Sequence, residues 1–169
     1  MLLSKSLELI RGLKMSKIEF IAMDVDGTLT DGKINMGPTG EVFKSFSIKD
    51  GYGIHEMLPK ANIIPVIITG RDSDIVERRA REIGIKNVYQ GVSDKFKALK
   101  GITADLRHVA YIGDDLNDYE CMRQLKAEGG VVGCPADAAD EVKALADFIS
   151  NKNGGDGAVR EFIEWIIKQ

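Results

Sequence analysis

The chain has little of several things that would announce a function. It carries two cysteines, Cys121 and Cys134, with no CxxC or CxxH pairing. That spacing signals neither a zinc site nor a disulfide framework, and two reduced, buried thiols are expected. Its two histidines, His55 and His108, have no partner at ligand or triad spacing and are expected to be structural or surface residues. Neither sign of charge dominates: 23 Lys+Arg against 26 Asp+Glu give a net charge of -3, which leaves no basic footprint for nucleic acid. A long apolar run is missing as well. The opening MLLSKSLELIRGLKMSK is interrupted by Lys5, Glu8 and Arg11 and no small-residue cleavage site follows, so neither a signal peptide nor a membrane span is expected.

What is present has the size of one domain, 169 residues, able to bury roughly 70% of the surface its unfolded chain exposes. Residues 1–16 read as an N-terminal extension: Leu3, Leu7, Ile10 and Lys14 share a helical face, but Gly12 weakens the helix. From 17 to 169 apolar strands alternate with helices. Lys17 to Val25 is an apolar, β-rich run, and KINM and EVFKSFSI read as a β-hairpin turning at GPTG. A helix at GIHEMLPKA precedes a buried strand at NIIPVIITG, and SDIVERRAREIG is a helix stopped by Gly84. The alternation continues to a closing helix, AVREFIEWIIKQ, reached through NKNGGDG, which reads as a mobile approach, and Trp165 on that helix reads as core. This order implies a doubly wound α/β fold with a mainly parallel, Rossmann-like sheet and a protruding β-hairpin.

In such sheets ligands bind beyond the carboxyl ends of the strands. Four of these ends carry chemistry: Asp24 and Asp26; Thr69, Gly70 and Arg71; Ser93, Asp94 and Lys95; and Asp114, Asp115 and Asp118 in GDDLND. Converging carboxylates repel by about 4 kcal/mol per close pair at an effective dielectric near 20, so they need cations. Lys95 supplies one, and an oxygen-only donor set without His or Cys suits magnesium rather than zinc. A carboxylate beside magnesium and a lysine is either a bystander to the metal or a nucleophile toward phosphorus. In the second case Asp26 can protonate the leaving oxygen, while Thr69 and backbone N–H groups hold phosphate oxygens, with Gly27 and Gly70 allowing close approach. Asp31 separates from the pair and is expected to serve the turn into the hairpin.

The motifs DVDGT, ITGR, DK with Lys95, and GDDLND resemble the four motifs of the haloacid dehalogenase superfamily of aspartate-nucleophile phosphatases, over Lys17 to the C-terminus. The short interval between DGTLTDG and KDGYGI leaves no room for a cap domain, which resembles the capless branch of sugar-acid phosphatases. The resemblance implies that Asp24 becomes the aspartyl phosphate and that Asp26 is general acid, then base. It further implies that Thr69 and Lys95 bind phosphate and that Asp24, Asp114 and the Asp26 backbone carbonyl bind Mg2+. Asp115, Asn117 and Asp118 then support the site, Asn117 and Gly70 on its phosphate side. The implied protein is a cytoplasmic homotetramer in which hairpins meet and neighbouring subunits help close each site, acting on a small sugar-acid phosphate.

Two features bear on the sugar. Arg71 after ITG is what the octulosonate 8-phosphate branch carries, and its guanidinium suits a sugar carboxylate; the alternative is a helix-capping surface arginine. Asp156, in GGDG, is closer to the acidic version found in nonulosonate and sialate 9-phosphate phosphatases. Two functions of other classes compete. A silent oligomerisation module predicts decay at catalytic positions, and none is seen; a receiver-like switch has no use for an acid two residues beyond its nucleophile.

Overall fold

The computed structural model describes residues 16–169. The helical face of Leu3, Leu7, Ile10 and Lys14 lies outside the described residues, as does all of the extension except Ser16. Strand β1 (Phe20–Met23) leads to a separate antiparallel hairpin, β2 (Asn35–Gly37) with β3 (Gly40–Phe43). Five further strands, β4 (Ile64–Ile68), β5 (Asn87–Tyr89), β6 (Val109–Ile112), β7 (Val131–Cys134) and β8 (Phe148–Ile149), join β1 in one sheet. Its order is β5-β4-β1-β6-β7-β8 and every pairing in it is parallel. The chain steps outward from β1 to β4 and β5, then returns across β1 to β6. The carboxyl ends of β4, β1 and β6 therefore lie side by side at the reversal of strand order, where doubly wound sheets bind ligands.

Both faces of the sheet are covered, because alternate residues of each strand point to opposite sides. On β1, Ile21 and Met23 join one buried cluster with Ile67, Ile112, Phe162 and Ile163. Ala22 joins the other, with Val66, Tyr111, Leu99, Met122 and Leu125. Fully burying such a side chain stabilises the fold by about 1.5–3 kcal/mol. The helices that supply these layers are α1 (Ile48–Tyr52), α2 (Asp74–Glu82), α3 (Lys95–Ile102), α4 (Leu116–Ala127), α5 (Asp140–Leu145) and α6 (Ala158–Ile167). Trp165 is half-buried on α6, stacked on Phe148 at 5.2 Å and Phe162 at 6.0 Å.

Three segments differ from the sequence expectation. β1 ends at Met23 rather than Val25, because the Val25 carbonyl accepts from the N–H groups of Thr28, Leu29 and Thr30 and the chain has already turned. The helix expected over GIHEMLPKA begins earlier, at Ile48, where Ser47 accepts from the Lys49 and Asp50 N–H groups. It then continues through a π-helical stretch, Gly53–Met57, into a last turn, Leu58–Lys60. Glycine weakens a helix, but packing requires it here: a Cβ on Gly53 would press on Arg160 at 3.1 Å and Ile163 at 3.2 Å. Finally, NKNGGDG is not a loose approach to α6, since Gly154 is buried against the loop that follows β1.

Candidate active site

Lys95 opens helix α3, whose first turn is capped by Asp94 accepting from the Lys97 N–H at 2.9 Å. The cap aims the buried ammonium at the end of β1, where Nζ donates to Asp24 Oδ1 at 2.8 Å and to Asp118 Oδ1 at 2.6 Å. Asp118 is held from every side. Its Oδ1 also accepts from the Tyr111 hydroxyl at 2.6 Å, and its Oδ2 accepts from the backbone N–H groups of Asp114 at 3.0 Å and Asp115 at 3.3 Å. Asp115 is the N-cap of α4, with Oδ1 accepting from the Leu116 N–H at 2.8 Å, and Asp118 completes a capping box.

Asp24, Asp114 and Asp118 each present an oxygen within 4.8 Å of the others. Burial pushes the Asp24 carboxyl up to about 7, the Asp118 charge pushes it further, and Lys95 pulls the other way. Burial also raises Asp114 to about 8 against the hydrogen bond from Thr28, with Asp118 and Asp24 adding repulsion. Three carboxylates facing one ammonium lack positive charge. With the Asp118 oxygens already committed, the remaining capacity lies on Asp24 and Asp114, which fits a hard divalent cation such as magnesium.

Asp26 faces a different set of cations. Its Oδ1 accepts from Lys44 Nζ, and its Oδ2 lies 3.8 Å from Arg71 Nη1. Arg71 does not cap a helix: Ser73 caps α2, accepting from the Ile75 N–H at 3.3 Å, while the Arg71 Nη2 lies 3.5 Å from Glu41 Oε2. Thr69 is buried at the end of β4, its N–H donating to the Tyr89 carbonyl at 2.9 Å and its carbonyl accepting from Val92 at 3.0 Å. Gly70 follows, exposed, with room for a Cβ 3.6 Å from the Val92 carbonyl, so the chain's own packing does not demand glycine there. Asn117 is exposed and lines a cleft of about 330 Å³ with Ser93, Asp94 and Lys95. Asp31 lies apart, accepting from the Lys33 N–H at 3.2 Å in the turn toward the hairpin.

No protein-family model matches the chain. Individual proteins do: 3-deoxy-D-manno-octulosonate 8-phosphate phosphatase of Salmonella typhi is 40% identical over 158 residues, 91% of this chain and 81% of that protein. The chain belongs to the 3-deoxy-D-manno-octulosonate 8-phosphate phosphatase family. Its structure resembles that of the Moraxella catarrhalis phosphatase, solved in complex with magnesium ion, phosphate ion and a KDO molecule, at a TM-score of 0.82 and 44% identity over 89% of this chain and 86% of that one. A HAD superfamily (subfamily III A) hydrolase from Legionella pneumophila is 33% identical at a TM-score of 0.82, over 98% of this chain and 91% of its own. Family membership makes the chain a phosphoric monoester hydrolase of the haloacid dehalogenase type.

Several residues that shape this cluster carried no separate expectation. Thr28 donates its hydroxyl to Asp114 Oδ1 at 2.8 Å; its place inside DVDGT was the available signal. Tyr111 is a polar tip on an otherwise apolar buried strand, another signal of a partner nearby. Lys44 and Glu41 come from the hairpin, and nothing local distinguishes them from surface charges. The GGDG loop braces the site from behind. Gly27 has φ +92°, and a Cβ on it would lie 2.0 Å from Asp114 Oδ2; a Cβ on Gly154 would lie 1.8 Å from the Gly27 carbonyl oxygen. The Gly155 N–H donates to the Thr28 carbonyl at 3.1 Å, fastening the two loops together. Asp156 is exposed on this loop, where its charge adds to the burial that raises the Asp50 carboxyl. His55 pairs with Glu56 and His108 with the Lys17 carbonyl, both away from these carboxylates. Both cysteines are buried and free.

Proposed function

We propose that the chain is a magnesium-dependent phosphatase of a keto-deoxy sugar-acid phosphate, 3-deoxy-D-manno-octulosonate 8-phosphate, working through an aspartyl phosphate. One observation carries the reading: Asp24 is held at 2.8 Å by buried Lys95 beside Asp114, while Asp26, two residues on, turns to other cations. The two carboxylates thus face different partners, Lys95 for Asp24 and Lys44 with Arg71 for Asp26. The names of the relatives and the KDO and phosphate bound by the Moraxella protein support the substrate class.

In this reading an Asp24 oxygen attacks phosphorus and the bond from phosphorus to the sugar oxygen breaks. That oxygen takes the electron pair and a proton from Asp26. Asp26, now a carboxylate, takes a proton from water as the water oxygen attacks phosphorus; the bond to Asp24 breaks, and inorganic phosphate leaves with both residues restored. Lys95 and Thr69 hold the phosphoryl oxygens. Asp24, Asp114 and the Asp26 carbonyl would hold magnesium, which supplies positive charge against the phosphoryl group and the nucleophile. Arg71, 44% exposed on the rim, suits the sugar carboxylate in a two-pronged pair.

The assembly belongs to the same proposal. Large apolar side chains stand exposed on the hairpin and on α1, with Met36 66% and Ile48 85% exposed and Val42, Phe43 and Tyr52 more than half exposed. Such a patch supports hairpins meeting in a homotetramer. Replacing Val42 and Phe43 together by Asp should yield smaller species in sedimentation.

Steady-state comparison of octulosonate 8-phosphate with nonulosonate and sialate 9-phosphates tests the substrate. The expected result is a preference for the first that Arg71→Glu selectively removes. Equal rates on all three, or activity surviving Asp24→Asn, would end the reading.

A further inference from the structure

The hairpin reaches the reaction through Lys44. This residue follows β3 directly, and its side chain is buried, 1% exposed. A buried ammonium is costly unless it is paired. Lys44 has two carboxylates: Nζ donates to Asp26 Oδ1 and, at 2.9 Å, to Glu41 Oε1. Glu41 is itself braced, with its other oxygen 3.5 Å from Arg71 Nη2.

The consequence lies in how the two oxygens of Asp26 differ. An ammonium has donors and no acceptor, so Lys44 engages Oδ1 as an acceptor and fixes that oxygen in place. Among the described residues Oδ2 accepts no hydrogen bond; Arg71 Nη1 lies 3.8 Å from it. We propose that Lys44 is a positioning residue for leaving-group protonation: it anchors Asp26 Oδ1 and so holds the carboxyl with Oδ2 turned to the Arg71 side. Glu41 holds Lys44 in place. The inference rests on Asp26 being the general acid.

The leaving oxygen of a sugar phosphate is an alkoxide without that proton, whereas p-nitrophenolate departs without help. Lys44→Met is therefore measured in single turnovers at saturating magnesium, reading alcohol release from the sugar-acid phosphate and from p-nitrophenyl phosphate. Removing well-placed acid catalysis is worth about 100-fold or more, so release of the sugar should slow by at least about that factor and release of p-nitrophenol far less. Equal slowing of both would make Lys44 a purely structural residue and overturn the proposal, as would no slowing of either. Glu41→Gln should show the same selectivity in weaker form, and it decides the matter if Lys44→Met does not fold. Asp26→Asn run in parallel separates the two readings. Selectivity there but not in the Lys44 and Glu41 variants refutes the positioning role alone, while no selectivity in Asp26→Asn refutes the acid and the positioning role with it.

Discussion

Lys95 Nζ and Asp24 Oδ1 meet at 2.8 Å although the two residues stand 71 positions apart in the chain. The pair is buried, and the same ammonium is shared with Asp118 at 2.6 Å. Breaking a buried pair by removing one partner costs about 3–5 kcal/mol. Lys95→Met should therefore destabilise the metal-free protein by an amount in that range, and should lose phosphatase activity. Urea unfolding with and without magnesium checks this: the added cation should recover part of the lost stability. A variant as stable as the parent in the presence of a chelator would refute the electrostatic role of Lys95.

Magnesium and protons compete for the acid cluster. Asp24 at about 7 and Asp114 at about 8 both lie above the carboxylate value of 3.8. A carboxylate raised on folding binds a proton more tightly in the folded state, so its contribution is unfavourable above the folded value and is relieved as pH falls. The metal-free protein thus loses stability from these groups as pH rises toward 8, and a cation that neutralises them stabilises most where they are ionised. The increase in Tm caused by magnesium should be larger at pH 8.5 than at pH 5.5. Equal increments at the two pH values would contradict the cluster as the binding site.

Asp50 provides a second pH response away from the site. It is buried at the start of α1, where Oδ1 accepts from the Arg160 N–H of α6 at 2.8 Å and Oδ2 has no partner among the described residues. Burial lifts it to about 6. The sign is the same: the penalty is full above pH 6 and gone below the unfolded value near 4, amounting to about 3 kcal/mol. Asp50→Asn keeps an acceptor for Arg160 and carries no charge, so it should flatten this dependence. Chemical denaturation of both proteins between pH 4 and 7 measures it, and parallel curves would count against a raised Asp50.

The brace behind the site is tested by a single methyl group. Gly154→Ala places a Cβ 1.8 Å from the Gly27 carbonyl oxygen, so the loop carrying Gly27 and Thr28 must move. Overpacking of this kind costs about 1–3 kcal/mol, and displacement of Thr28 from Asp114 should lower kcat. Gly101→Ala is the control, since a Cβ there meets nothing within 4 Å inside helix α3. That change should stabilise by about 0.5–1 kcal/mol. Unchanged kcat in Gly154→Ala would remove the brace from the functional account.

Much of the fold was legible because its signals are local. An apolar β-rich run reads as a buried strand, and SDIVERRAREIG with its Gly84 stop reads as a helix, which the structure starts with the Ser73 cap. The strand ends could be matched to DVDGT, ITGR, SDK and GDDLND for the same reason, and the structure brings Asp24, Lys95, Asp114 and Asp118 together. The early start of α1 was not legible, because two glycines within five residues read as breakers until α6 is packed on Gly53.

The sequence by itself determined at which ends of which strands the acidic residues and Lys95 stand, since residue type and period-two burial are properties of short segments. Only the tertiary structure decided how their partners are divided. Lys95 goes to Asp24 and Asp118, Thr28 to Asp114, Lys44 to Asp26, and the GGDG loop to the back of Gly27. Those choices depend on distances between segments far apart in the chain, where a few ångströms in a poorly screening interior separate a paired charge from a costly one.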